Sequence, residues 1–195
     1  QKTASPQEYK AATFLCAAAG CGGEVLLRRT DARMLQSVTA LLRQTGCELL
    51  EEQDAVLVRK TGKTGIISDV KTAAYPGFPT DCQAILTAAL LRAEGESRIE
   101  ETVFEDRFHH VPELQKLGAK LKIHHNTVHI SGVRTLSGAK LTARDLRGGA
   151  ALVLAAMQAE GESRVEGLTH IDRGYERFAE KLRALGANIE RCFDA

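Results

Sequence analysis

The sequence predicts an α/β fold, α+β in its layering, built from three β-α-β-α-β-β repeats that pack apolar helices inward and leave their sheets outside. Three observations predict it. The octapeptide Ala93-Glu-Gly-Glu-Ser-Arg-Ile-Glu100 returns as Ala159-Glu-Gly-Glu-Ser-Arg-Val-Glu166, with a weaker copy at Cys21-Gly-Gly-Glu-Val25, and recurrence at a fixed period marks a repeated supersecondary unit. Downstream of each copy a helix closes on glycine, in Leu41-Leu-Arg-Gln-Thr-Gly46, Pro112-Glu-Leu-Gln-Lys-Leu-Gly118 and Lys181-Leu-Arg-Ala-Leu-Gly186. The segments 12–20, 81–93 and 146–159 are apolar or small on every side, so as helices they must be surrounded by protein.

The elements follow in order within units of about 10–70, 71–136 and 137–195, together one domain covering 1–195. After each apolar helix comes a short strand, at 24–28, 97–101 and 163–167. A second helix with a charged face follows, clearest at 173–185. Gly46, Gly118 and Gly186 fit the left-handed position that ends such helices. Alternating apolar and polar residues at 48–59 and 120–130 then read as hairpin strands.

Composition excludes several classes of function. With 26 Lys+Arg against 25 Asp+Glu and no long like-charged block, the chain has no field suited to a nucleic-acid backbone or an anionic membrane. Its longest apolar runs fall short of the roughly 18–20 residues needed to span a bilayer, and no secretory signal is present. The five cysteines, Cys16, Cys21, Cys47, Cys82 and Cys192, are scattered with no CxxC pair, as expected of reduced thiols in a cytoplasmic protein. A first residue of Gln suggests a chain that begins inside a longer gene product.

Three places concentrate chemistry. In Tyr75-Pro-Gly-Phe-Pro-Thr-Asp81 two prolines and a glycine stiffen the approach to the second apolar helix. Asp81 reads first as the N-cap of that helix and second as a carboxylate able to take a proton from a bound hydroxyl. In Asp145-Leu-Arg-Gly-Gly149, Asp145 reads as a cap and Arg147 falls in the first helical turn, where a cation is unfavourable unless an anion shares the site. A surface ion pair is the competing reading for Arg147. Val103-Phe-Glu-Asp-Arg-Phe108 and Ile171-Asp-Arg-Gly-Tyr175 each place an arginine, Arg107 or Arg173, in the turn entering the second helix. Equivalent loops of a repeat array fall on one face, so Asp81, Arg107, Asp145, Arg147 and Arg173 are expected to converge and suit a small polyanion. The histidines and cysteines read as structural or exposed, with no metal-ligand spacing and no activated nucleophile.

Taken with Glu101-Thr-Val-Phe-Glu-Asp-Arg-Phe108 and His170-Ile-Asp-Arg-Gly-Tyr-Glu-Arg177, these motifs make the chain resemble the UDP-N-acetylglucosamine 1-carboxyvinyltransferases, enolpyruvyl transferases, from about Ala12 to Arg191. Resemblance implies one of two inverse α/β prism-like domains, the partner domain lying outside this chain. It implies transfer of enolpyruvyl from phosphoenolpyruvate to the 3-hydroxyl of UDP-N-acetylglucosamine, the committed step of peptidoglycan synthesis, without metal or organic cofactor. Asp81 would be the base on the sugar hydroxyl. Val103 would hold the nucleotide sugar through its backbone, with Phe104 beside it. Arg147 and Arg173 would grip phosphoenolpyruvate, while Arg107 and Asp145 steady the intermediate. The isolated chain is expected to fold without turning over.

The related 5-enolpyruvylshikimate 3-phosphate synthases share the repeats but not the YPGFPTD or HIDRGYER strings. A non-catalytic ligand-binding module is the alternative from another class. Two departures from the family pattern stand out. Gln7 replaces an acidic contact within Ser5-Pro-Gln-Glu-Tyr-Lys-Ala-Ala-Thr13, and Asp106 replaces the commoner Asn. None of the five cysteines stands in for the family's reactive loop thiol.

Overall fold

The computed structural model describes residues 8–193. Helix α1 (Glu8–Cys21), helix α3 (Gln83–Ala89) and helix α5 (Leu146–Met157) pack against one another at the centre. Every residue of α3 is buried, and Leu15, Leu86, Leu90 and Leu154 are completely so. Burying one such side chain stabilises by about 1.5–3 kcal/mol, and only a helix enclosed on all sides can collect this around its whole circumference. The inward packing expected of the three apolar segments is therefore observed. The second is shorter than its apolar pattern: a 3-10 turn (Thr80–Cys82) precedes α3, and non-helical turns follow Ala89.

Sheets cover this bundle. Strands β1 (Gly23–Arg28), β2 (Glu48–Glu52) and β3 (Ala55–Lys60) form an antiparallel sheet in the order β1-β3-β2. Strands β4 (Val70–Lys71), β5 (Glu96–Glu100), β6 (Lys120–His124) and β7 (Thr127–Ser131) form a second, ordered β4-β5-β7-β6, with β4 and β5 parallel. Both expected hairpins, β2-β3 and β6-β7, are present in register. Strands β8 (Lys140–Thr142) and β9 (Arg164–Glu166) make a parallel pair. Helices α2 (Gln36–Gln44) and α4 (His110–Gln115) are the second helices of the first two sets. Gly46, Gly118 and Gly186 have φ of 88°, 90° and 100°, so each ends its helix in the left-handed conformation that a side chain would strain.

The full β-α-β-α-β-β order is seen only in the second set. Among the described residues the first set lacks an opening strand and the third lacks a hairpin. Of the helix expected over 173–185 only α7 (Phe178–Ala184) forms, and a separate short helix, α6 (Leu168–Asp172), lies just before the expected span. Arg177 has φ of +52° between them, a backbone state incompatible with a continuous helix. The buried Tyr175 fills the break, its ring packed on Phe178 and its hydroxyl 2.7 Å from Thr13 Oγ1 of α1. Tertiary packing of an aromatic thus outweighs local helix propensity.

Candidate functional site

The stiff approach loop reaches the 3-10 turn at Thr80, and Asp81 lies inside that turn. Its N-cap is Pro79, without a side-chain capping bond, so the capping role expected for Asp81 is not observed. Its two oxygens are instead held apart by arginines from different elements. Arg107 Nη1 donates to Oδ1 at 3.2 Å and Arg147 Nη2 donates to Oδ2 at 3.1 Å. The Asp81 side chain is 15% exposed and each arginine about one third. Arg147 therefore has the carboxylate partner that its position at a helix N-terminus requires, and it also lies over the Tyr9 ring at 5.0 Å. Arg107 lies over the Phe104 ring at 4.1 Å.

Asp145 caps α5 as expected, accepting from the Gly148 amide at 2.7 Å. Arg173 is exposed and ends α6 instead of entering the following helix. It nevertheless reaches the same cleft of about 550 Å³, whose lining includes Thr80, Phe104, Arg107, Asp145, Arg147 and Arg173. Asp81 is outside that lining and is tied to it through its ion pairs with Arg107 and Arg147. Val103 is exposed beside the cleft, outside its lining. The sequence-derived cluster thus converges, with one adjustment: Glu105 and Asp106 also line the opening. The positive side of the lining is made by Arg107, Arg147, Arg173 and the N-terminus of α5. Asp106 has φ of +54°, a state Asn and Asp tolerate better than other side chains, which gives the Asp-for-Asn departure a local physical basis. Gln7 lies outside the described residues, as does the start of its segment.

Two contributors were not singled out from sequence. Glu101, 2% exposed, accepts from Thr72 Oγ1 at 2.8 Å, Thr80 Oγ1 at 2.7 Å and the Val103 and Phe104 amides at 2.9 and 3.2 Å. It ties the loop carrying Phe104 to the turn carrying Asp81. The signal was alternation: Ser97 and Ile99 face inward, so Glu101 must as well. The second is His110, buried at the start of α4 and lining the cleft, which sequence reading left structural or exposed.

Burial pushes the His110 imidazole from an ordinary 6.5 down to about 4; the Asp145 charge opposes this and His109 adds to it. The folded value lies below the unfolded one, so the unfolded chain binds the proton first as pH falls. Stability from neutral His110 is complete above about 6.5 and is lost between 6.5 and 4. Urea denaturation at pH 7 and 4.5 should therefore show wild type losing about 2–3 kcal/mol more than His110→Leu. Equal losses in both proteins would contradict the assignment.

Burial also raises the Cys16, Cys82 and Cys47 thiols, and Cys21 to about 11. These four remain protonated near neutral pH and are poor nucleophiles. Among the described residues no group of three or more His, Cys, Asp or Glu is placed to hold a metal, and no helix is long and apolar enough to cross a membrane.

A buried helical bundle inside outer sheets, with an arginine-bridged aspartate beside a helix N-terminus, defines an α/β domain with an arginine-lined cleft. A family model described as EPSP synthase (3-phosphoshikimate 1-carboxyvinyltransferase) matches residues 5–182, and the chain belongs to that family of enolpyruvyl transferases. It is 47% identical over 194 residues to UDP-N-acetylglucosamine 1-carboxyvinyltransferase 2 of Carboxydothermus hydrogenoformans, covering 98% of this chain and 46% of that protein. It is 50% identical over 186 residues to UDP-N-acetylglucosamine 1-carboxyvinyltransferase of Salmonella typhimurium, covering 95% and 44%. The chain thus spans about half the length of the curated relatives it matches. Among solved structures, the enolpyruvyl transferase NikO from Streptomyces tendae aligns with a TM-score of 0.82 at 27% identity, over 92% of this chain and 43% of that one. EPSP synthase from Acinetobacter baumannii aligns at 0.74 and 18% identity, over 95% and 46%, a likeness of fold.

Proposed function

We propose that residues 1–195 form one domain of a UDP-N-acetylglucosamine 1-carboxyvinyltransferase, supplying the base and part of the anion site of the committed step of peptidoglycan synthesis. The observation that carries this reading is Asp81, fixed between Arg107 and Arg147, two arginines that line the cleft. The substrates are phosphoenolpyruvate and UDP-N-acetylglucosamine, and the relatives carrying that activity in their names are 47–50% identical. The repeats run over about 10–70, 71–136 and 137–195. The site is completed by a second domain, the setting is the bacterial cytoplasm, and the product feeds cell-wall growth and so cell shape and division.

In the addition step the sugar 3-hydroxyl oxygen bonds to C2 of phosphoenolpyruvate as its proton passes to Asp81, and C3 gains a proton from an acid of the second domain. Elimination then returns one C3 proton to that group of the second domain and expels phosphate, restoring the double bond. Both Asp81 oxygens are engaged by guanidinium groups, and its proton transfer is taken as concerted with C–O bond formation. Arg147 and Arg173 bind the carboxylate and phosphate charges, which planar guanidinium groups match bidentately. Arg107 and Asp145 hold the inner wall as charge shifts through the tetrahedral ketal. The Val103 amide is already taken by Glu101, which leaves its carbonyl as the backbone group for the nucleotide sugar, with Phe104 as an apolar face.

Closure of two domains expels water and completes such a site. Phosphate release from phosphoenolpyruvate is therefore expected with UDP-N-acetylglucosamine when the second domain is present, and not with this chain alone. Turnover by the chain alone, or a preference for shikimate 3-phosphate, would overturn the reading.

A further inference from the structure

Arg147 and Arg173 reach the cleft from different elements, the first turn of α5 and the end of α6. One side chain outside the cleft lining touches both segments. Tyr9, buried in the first turn of α1, has its ring centroid 5.0 Å from the Arg147 guanidinium carbon. Its hydroxyl donates at 3.3 Å to the carbonyl of Gly174, the residue after Arg173. The backbone is shaped for this approach. A Cβ on Gly174 would lie 2.7 Å from the Tyr9 hydroxyl and 2.5 Å from Leu146 Cδ2, and Leu146 is the residue before Arg147.

Tyr9 is itself held from its own helix. Its carbonyl accepts from Thr13 Oγ1 at 2.7 Å, that hydroxyl pairs with the Tyr175 hydroxyl at 2.7 Å, and the Tyr175 ring meets the Tyr9 ring edge to face at 5.5 Å. A closed circuit of contacts thus runs from Tyr9 through Thr13, Tyr175 and Gly174 back to the Tyr9 hydroxyl.

The chemistry of the Arg147 contact is selective. An aromatic face attracts a guanidinium group and fixes its plane, yet it leaves the in-plane N–H donors free. Asp81 takes one of them, at Nη2, and the buried Nε has no hydrogen-bond partner among the described residues. A second carboxylate in place of the ring would consume the donors that an anionic ligand needs.

We propose that Tyr9 is a positioning residue for the anion site. Its ring sets the plane of Arg147 and its hydroxyl sets the place of the turn carrying Arg173, so that the two guanidinium groups are spaced for one ligand with two anionic groups. That ligand is phosphoenolpyruvate, so the assignment rests on the substrate reading. A ligand that bridges both arginines depends on their spacing, whereas the nucleotide sugar is held on the other side of the cleft mouth, at Val103 and Phe104.

Two variants test this in the two-domain protein. Tyr9→Leu removes ring and hydroxyl, and Tyr9→Phe removes the hydroxyl alone. Tyr9→Leu should raise KM for phosphoenolpyruvate about tenfold or more while KM for UDP-N-acetylglucosamine stays within about threefold of wild type. Tyr9→Phe should recover most of the loss, leaving KM for phosphoenolpyruvate raised about two- to fivefold and the other KM unchanged, a pattern readable even where Tyr9→Leu does not fold. A lowered melting midpoint with neither KM altered, or an equal rise in both, is what a merely structural role gives, and either result would overturn the proposal. A further readout needs no turnover: in the 195-residue chain, exchange of the Arg147 Nε–H with water, followed by NMR, should speed about tenfold or more in Tyr9→Leu and little in Tyr9→Phe. Exchange indifferent to Tyr9→Leu would also overturn it. Failure of the wild-type two-domain protein to use phosphoenolpyruvate strikes the substrate reading instead, and the exchange measurement then decides whether Tyr9 holds Arg147.

Discussion

Asp81→Asn in the two-domain protein should lower the rate of phosphate release by about 10²–10⁴-fold, the range set by removing a positioned general base, while the melting midpoint shifts by only a few degrees. The substitution keeps side-chain volume and still offers an oxygen to Arg107, now 3.2 Å from Oδ1. What it loses is the ability to accept a proton, together with the ion pair to Arg147. Ion pairs of such partial exposure contribute about 1 kcal/mol or less, too little to unfold a chain of this size. Loss of rate with retained stability separates the chemical role from a structural one. Binding of UDP-N-acetylglucosamine, followed by calorimetry, should weaken far less than the rate falls. A variant that turns over within a few-fold of wild type would remove Asp81 from the mechanism.

Gly132→Ala should be the most damaging small substitution in the fold. Gly132 follows β7 and donates its amide to Gly95 O at 2.9 Å. A Cβ built there would lie 1.5 Å from Ala93 O and 2.6 Å from Ala93 C. Those are backbone atoms of the turn after the central helix of the bundle, so no side-chain rotation relieves the overlap. The backbone has to move, and Ala93 is itself bonded to Leu90 O at 3.0 Å. The expected cost is about 3 kcal/mol or more, the upper end of overpacking. Gly118→Ala provides the contrast. Its φ is +90° and nothing lies within 4 Å of its Cβ position, so its cost is conformational alone, about 1 kcal/mol. Urea denaturation at pH 7 should rank Gly132→Ala well below Gly118→Ala, and the reverse order would show that backbone torsion outweighs close approach.

The two glycines illustrate what was legible beforehand. Gly118 could be read because a left-handed helix end follows from local sequence: a helical run, a glycine, then alternation. Gly132 could not, because its requirement is set by Ala93, far along the chain and brought near only by the fold. The same division holds in the site. Asp145 is a cap within its own helix, and the local pattern identified it. Asp81 carried the same local pattern and is no cap. A 3-10 turn takes the place of the first helical turn, and two distant arginines, Arg107 of a later loop and Arg147 of the first turn of α5, claim both carboxylate oxygens. Glu101 was available through strand alternation, whereas His110 carried no local sign that it would line the cleft wall.

By itself the sequence determined the apolar helices that must lie inside, the glycine helix ends, both hairpins and, among the cleft's lining, Phe104, Arg107, Asp145, Arg147 and Arg173, because each depends on neighbours a few positions away or on recurrence along the chain. Tertiary structure alone decided two things. Tyr175 ends the helical run to reach Thr13, and Arg107 and Arg147 divide one carboxylate between them. Both depend on side chains that meet across more than twenty residues of sequence, where local propensity and periodicity carry no information.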